Sequence, residues 1–287
     1  MPIDPAVAIG ASLGSATFSW EPSDVLLYHL ALGAGADPMS PQELRYATED
    51  DLQVLPTFGV IAPNLRQTGR PTVSFPGVEI DLARVLHGQQ EITLHRPLPV
   101  SATVTAHARI VDVYDKVKAA VVVQEATAVD SSGEPLYTTR SSIFARGEGG
   151  FGGSRGPSST VALPDREPDF TLDTRTLPQQ ALLYRLCGDR NPLHSDPAFA
   201  AAAGFPRPIL HGLCTYGVVC KTVIDGVLSG DVSQVAGYAT RFAGIVFPGE
   251  TLRTRVWQED KQLLITTTVP ERDNAPVLSD TVLTLTR

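Results

Sequence analysis

Six of the ten residues from Gly147 to Gly156 are glycine, and Pro, Ser, Asp and Glu follow to about Asp169. A stretch of this composition loses too much conformational entropy on ordering to serve as core, so it predicts a flexible linker with a folded unit on each side. Reading the glycines as a phosphate cradle fails, because the Lys and the following helix of a P-loop are missing.

The two flanks carry the same elements in the same order. Residues 1 to 16 show no periodicity and are expected to pack as an arm before a short strand, Thr17 to Trp20. Pro22 to Leu32 reads as a helix capped near Ser23 or Asp24, which Gly33, Gly35 and Pro38 then break. Val54 to Gly69 places Leu55, Phe58, Ile61, Ala62 and Leu65 at helical spacing and predicts a buried helix that Pro63 interrupts or kinks. From Gln89 the period becomes two. Val104, Ala106, Ala108 and Ile110 share one strand face, Thr103, Thr105, His107 and Arg109 the other, and strands at 118–129 and 136–144 follow.

Beyond the linker come a helix, a broken loop, a long apolar helix, and strands at about 232–243, 250–258, 262–269 and 276–286. Leu26-Leu27-Tyr28-His29-Leu30 answers Leu182-Leu183-Tyr184-Arg185-Leu186. Similarity on this scale means two copies of one fold, each a long buried helix on an antiparallel sheet, which is an α+β arrangement. The divisions are 1–146, the linker 147–170, and 171–287.

The chemistry concentrates in the second copy. Asp189 stands five residues before His194 with Asn191-Pro192 between them, on a stiff polar loop where Pro192 biases Asn191 away from helix. A helix ends near Gly188, and another starts at Pro197 with Ser195 or Asp196 as cap. His211-Gly212 then opens the long helix, whose Leu213, Tyr216, Cys220, Val223, Ile224, Val227 and Leu228 follow helical spacing until Gly230. Unpaired N–H groups at a helix start favour negative charge, so an anion site stands beside an acid/base pair. Aligned through the Leu-Leu-Tyr triplets, Gly33 faces Asp189 and Pro38 faces His194. The first copy lacks the pair.

The string D-x-N-P-x-H-x-D from Asp189, followed by the P-x-P-I-x-H-G-L segment ending at Leu213, resembles the signature of the MaoC-like, or hydratase 2, family of (R)-specific enoyl-CoA hydratases. Val54-Leu-Pro-Thr-Phe58, Leu86-His87-Gly88 and the glycine-rich linker extend the resemblance over nearly the whole chain. The resemblance implies a double hot dog, in which a degenerate N-terminal hot dog that binds acyl chain and CoA packs edge to edge against a catalytic C-terminal one. It implies reversible hydration of trans-2-enoyl-CoA to (3R)-3-hydroxyacyl-CoA, with Asp189 and His194 moving protons and the Gly212 N–H polarising the thioester oxygen. Asn191 would orient the pair by hydrogen bonding.

Around these, His211 can touch the thioester or cap the helix start. Tyr184 and Phe199 are candidates to line the acyl pocket, although aromatics at helical spacing are core by default. Arg66, Arg96, Lys116, Lys118, Arg241 and Lys221 are candidates for the CoA phosphates. The cysteines Cys187, Cys214 and Cys220 form no C-x-x-C pair and no common zinc spacing with the histidines, so no metal is expected. No redox cofactor is expected either, CoA being part of the substrate. His87 is read as structural.

Three readings compete with hydration by a CoA enzyme: a dehydratase acting on acyl-carrier-protein thioesters, a hot dog thioesterase, and a non-catalytic acyl-CoA-binding subunit. A net charge of −8 argues against nucleic acid or an anionic membrane as partner. The absence of a signal-like start, of a membrane-spanning apolar run and of a terminal Ser-Lys-Leu gives a cytoplasmic expectation, and edge strands give a homodimer.

Overall fold

The computed structural model describes residues 3–69, 75–80, 85–157 and 160–286. The period-two segments become strands. The first half carries β1 (Ser12–Trp20), β2 (Val85–Leu94), β3 (Ala102–Asp115), β4 (Ala119–Val129) and β5 (Pro135–Arg146). The second carries β6 (Phe170–Arg175), β7 (Val235–Phe242), β8 (Thr251–Gln258), β9 (Gln262–Val269) and β10 (Ala275–Leu285). They make one sheet in the order β1-β3-β4-β5-β2-β7-β10-β9-β8-β6. Each half has its strands in the order first, third, fourth, fifth, second. The two halves meet antiparallel at their second strands, from Gln89 opposite Arg241 to Thr93 opposite Gly237. This is the double hot dog with an edge-to-edge joint.

In β3, Val104 and Ile110 are buried while Thr103, His107 and Arg109 are exposed, as alternation predicts. A register shift between Ile110 and Asp112 then changes the phase and buries Val113 and Asp115.

Among the described residues, seven α-helices accompany the sheet: α1 (Pro5–Ala8), α2 (Pro22–Ala31), α3 (Pro41–Ala47), α4 (Phe58–Ile61), α5 (Gln180–Tyr184), α6 (Pro197–Ala202) and α7 (Gly212–Val227). The arm contains α1 and the first part of β1. The cap of α2 is Glu21, in a reciprocal box where Asp24 accepts the Glu21 N–H at 2.9 Å. Among the described residues only α7 is a long buried helix, with ten of its 16 residues buried. The helix expected over 54–69 is reduced to α4 and a 3₁₀ turn at Ala62–Asn64, because Pro56 and Pro63 each remove a donor and clash with the preceding turn.

Both halves share one core. Tyr28 of α2 packs against Tyr184 of α5 with ring centroids 6.2 Å apart, and the Gln180 side chain donates to the Ala31 carbonyl at 3.1 Å. The ammonium of the buried Lys221 on α7 lies 2.7 Å from both Glu43 of α3 and Asp225. A lysine at such depth needs partners, and the pair with Glu43 ties the copies together.

The linker is not a free tether. The Asp115 carboxylate accepts the N–H groups of Gly150 at 2.8 Å, Gly152 at 2.7 Å and Val117 at 2.7 Å, which hold it below the usual carboxylate range, Gly150 first. Phe151 packs on a second small core around Ile110 and Val113. The glycines thus wrap one acid, as a run of successive N–H groups can. Positions 158 and 159 of the linker lie outside the described residues.

Candidate active site

The polar loop is built from three consecutive side-chain-to-backbone turns. Asp189 Oδ1 accepts the Asn191 N–H at 3.0 Å, Asn191 Oδ1 accepts the Leu193 N–H at 3.0 Å, and Asp196 Oδ1 accepts the Ala198 N–H at 2.9 Å to cap α6. Asp and Asn form these turns readily, each reaching an N–H two residues ahead. Asn191 therefore fixes Asp189 through its backbone N–H, and its side chain is spent on the 3₁₀ turn Pro192–His194.

His194 is buried, and its Nδ1 pairs with the Ile209 carbonyl at 2.9 Å. A carbonyl can only accept, so Nδ1 carries the hydrogen and Nε2 is left as the basic nitrogen. Burial pushes the His194 pKa down, opposed by the Ile209 carbonyl and by Asp189. The ring stacks on His211 with centroids 3.7 Å apart and planes 28° apart. His211 in turn donates from Nε2 toward the Asp189 carbonyl at 3.3 Å, its Nδ1 being buried without a partner among the described residues. Burial, then the neighbouring His194, hold it far below the usual histidine range.

Asp189, His194 and His211 each offer an atom within 4.8 Å of the others'. The trio matches the ligand types of a metal site, and the proton-transfer reading needs the same atoms free.

These residues line a cavity of about 520 Å³ together with Asn191, Gly212 and apolar side chains such as Leu193, Phe205 and Val246. At its wall, the N–H groups of Gly212 and Leu213 begin α7 and have no hydrogen-bond partner among the described residues. A Cβ at Gly212 would lie 3.2 Å from Phe242 Cε1, so glycine lets that ring close over the helix start. An apolar cavity with an acid, a neutral base and two free N–H groups can hold a water and polarise a carbonyl.

Two expected pocket residues are elsewhere. Phe199 is 42% exposed on α6, outside the cavity, and Phe205 takes its place. Tyr184 is buried behind the site, its ring 4.9 Å from that of His211, so it supports the histidine pair from below. None of the six basic candidates lines the cavity. Arg96 pairs with Asp130, Arg66 with Asp24 and Arg241 with Asp280, and Lys221 is in the core. Arg146 does line it, with Val85, Leu86 and His87 from the first copy. No spacing rule could have found them, since they reach the site across the sheet joint.

Burial has a measurable cost at low pH. His29 is lowered to about 3, His87 to about 4, and His194 and His211 also downward, all chiefly by burial. Unfolding restores values near 6.5, so between there and about pH 4 the unfolded chain binds more protons and stability falls as pH falls. Each such histidine contributes about 1.4 kcal/mol per pH unit. The urea midpoint should therefore drop steeply from pH 7 to 5, a range in which most carboxylates do not yet titrate; a flat midpoint would contradict the buried neutral histidines.

Comparison with known proteins gives the family. Residues 18–147 match the model of the MFE-2 hydratase 2 N-terminal domain, and residues 159–275 match the MaoC like domain. An enoyl-CoA hydratase of Mycobacterium tuberculosis is 56% identical over 97% of this chain and 98% of its own. The peroxisomal enoyl-CoA hydratase 2 of Arabidopsis thaliana is 42% identical over 89% of this chain and 87% of its own. The crystal structure of a MaoC-like dehydratase from Phytophthora capsici superposes with a TM-score of 0.89 at 30% identity, covering 99% of this chain and 98% of that one. The chain therefore belongs to the MaoC-like hydratase 2 family, with one family domain on each side of its glycine-rich segment.

Proposed function

We propose that the chain catalyses the reversible hydration of trans-2-enoyl-CoA to (3R)-3-hydroxyacyl-CoA. The observation that carries this is a neutral His194 whose Nε2 has no hydrogen-bond partner among the described residues, within 4.8 Å of the Asp189 carboxylate and beside α7 N–H groups that likewise have none among those residues. One water held by Asp189 and His194 loses a proton to the pair as its oxygen bonds to C3. The C2–C3 electron pair moves toward the thioester oxygen, which accepts from the Gly212 N–H. The pair then returns a proton to C2 on the same face, so the groups end as they began.

Nothing in these steps calls on a metal or redox group. Dialysis against a strong chelator should leave turnover unchanged, and loss restored by one divalent cation would overturn that part of the reading. No helix of the described residues is long and apolar enough to cross a membrane. The three free, buried cysteines suit a reducing compartment such as the cytoplasm, and the outer strands β1 and β6 leave edges on which a homodimer can form.

The test is loss of enoyl-thioester ultraviolet absorbance with a short and a long trans-2-enoyl-CoA, the product being offered to stereospecific dehydrogenases. Product accepted only by the (3R)-specific enzyme supports the proposal. Product accepted by the (3S)-specific one contradicts it.

A further inference from the structure

His211 meets each part of the site with a different group. Its backbone is the N-cap of α7, and its carbonyl accepts the N–H groups of Cys214 and Thr215, both at 3.1 Å, so Gly212 follows it directly as the first helical residue. From the side chain, Nε2 donates to the Asp189 carbonyl at 3.3 Å. The face of the same ring lies on His194, with centroids 3.7 Å apart. Behind it the Tyr184 ring is 4.9 Å away, and Tyr184 packs in turn on Tyr28 of the first copy at 6.2 Å, all three being buried. A side chain backed in this way is a fixed point from which other groups can be held.

What an imidazole adds here over a plain ring is the donor. The His211 Nδ1 is buried with no hydrogen-bond partner among the described residues, a cost that a phenyl ring in the same place would avoid. Burial keeps the ring neutral, and a carbonyl can only accept, so its one hydrogen is on Nε2 and points to Asp189. Asp189 is therefore tied at two points, its carboxylate by the Asn191 N–H at 3.0 Å and its carbonyl by His211. His194 is tied at two points as well, its ring edge by the Ile209 carbonyl at 2.9 Å and its ring face by His211. Proton transfer depends steeply on such placement, since a shift of about 1 Å can cost about 100-fold in rate.

We propose that His211 is a positioning residue, which sets Asp189 through its Nε2–H and His194 through its ring face, at fixed places relative to the Gly212 N–H. The proposal rests on the hydratase reading for the reaction that reports it. His211 itself passes no proton to the substrate, because its hydrogen is committed to the Asp189 carbonyl and its other nitrogen is buried.

The experiment follows hydration of a trans-2-enoyl-CoA by wild type, His211→Phe, Asp189→Asn and the double variant. His211→Phe keeps a ring between Tyr184 and His194 and removes the donor. Its kcat should fall about 10-fold, with KM within about 2-fold of wild type. In the Asp189→Asn background the same change should cost less than about 2-fold, because the carboxylate that the tie positions is already gone. An undiminished loss in that background would overturn the proposal, and so would wild-type kcat in His211→Phe. A loss confined to KM would overturn it in favour of a substrate contact. Nitrogen NMR of the wild-type protein with ring-labelled histidine reads the tautomers without turnover and without any variant having to fold. Hydrogen on Nε2 of His211 and on Nδ1 of His194 is the expected result, and hydrogen on Nδ1 of His211 would overturn the tie to Asp189. Should wild type hydrate nothing, the hydratase reading fails while the tautomer still decides whether His211 holds Asp189.

Discussion

Asp189→Asn is expected to lower kcat/KM for a trans-2-enoyl-CoA by about 100- to 10,000-fold, which is about 2.7 to 5.5 kcal/mol of lost transition-state stabilisation. The substitution keeps an oxygen that can accept the Asn191 N–H, so the turn that shapes the loop survives and the fold with it. What disappears is the negative charge beside His194. His194→Gln should cost a similar factor, since an amide cannot take a proton. Wild type should retain activity below the usual histidine range, because burial lowers the His194 pKa and keeps its Nε2 unprotonated there. The pH profile of kcat/KM and the circular dichroism of both variants check these statements together. Near-wild-type turnover in either would remove that residue from the mechanism.

The second large effect is on stability, at Gly188. Its φ is +112°, and a Cβ there would lie 1.9 Å from the Asn64 backbone oxygen and 2.6 Å from the carbonyl carbon. The residue closes the turn after α5, directly before Asp189, where the first copy presses against the second. An L side chain pays about 1–2 kcal/mol for a left-handed backbone and must in addition displace that carbonyl. Gly188→Ala should lose about 2–4 kcal/mol of unfolding free energy, the backbone term and an overpacking term of similar size together, and should displace Asp189 as well. Gly204→Ala is the control: its φ is +88°, but nothing lies within 4 Å of the added carbon. Equal urea midpoints for the two variants would contradict the account of the joint between copies.

Much of this was legible in residue order because the causes are local. The loop from Asp189 to Asp196 folds by turns that reach two or three residues, and α7 is set by its own apolar spacing. The strands of the second half came within a few residues of their observed limits, alternation being a local pattern too. What failed was decided elsewhere. The apolar spacing over 54–69 was real, yet two prolines outweighed it and left one helical turn and a 3₁₀ turn. β6 is a six-residue edge strand whose residues are half-buried or exposed in alternation, too short to stand out beside a linker. The glycine-rich segment looked free until Asp115, some 35 residues earlier, supplied a carboxylate for its N–H groups. Phe199 fell on the solvent side of α6, and His87 and Arg146 reached the site only through the pairing of β2 with β7. Contacts between residues more than a hundred positions apart leave no spacing to read.

The central claim is that the Asp189–His194 pair adds one water to C3 of a bound enoyl thioester. Turnover of a trans-2-enoyl-CoA in ¹⁸O-enriched water, with free thiol followed in parallel, tests it most directly. The account predicts one heavy oxygen in the C3 hydroxyl of an intact thioester, no thiol release, and loss of that incorporation in Asp189→Asn. Heavy oxygen in a free carboxylate, with thiol appearing at the same rate, would mean that the site hydrolyses the thioester instead.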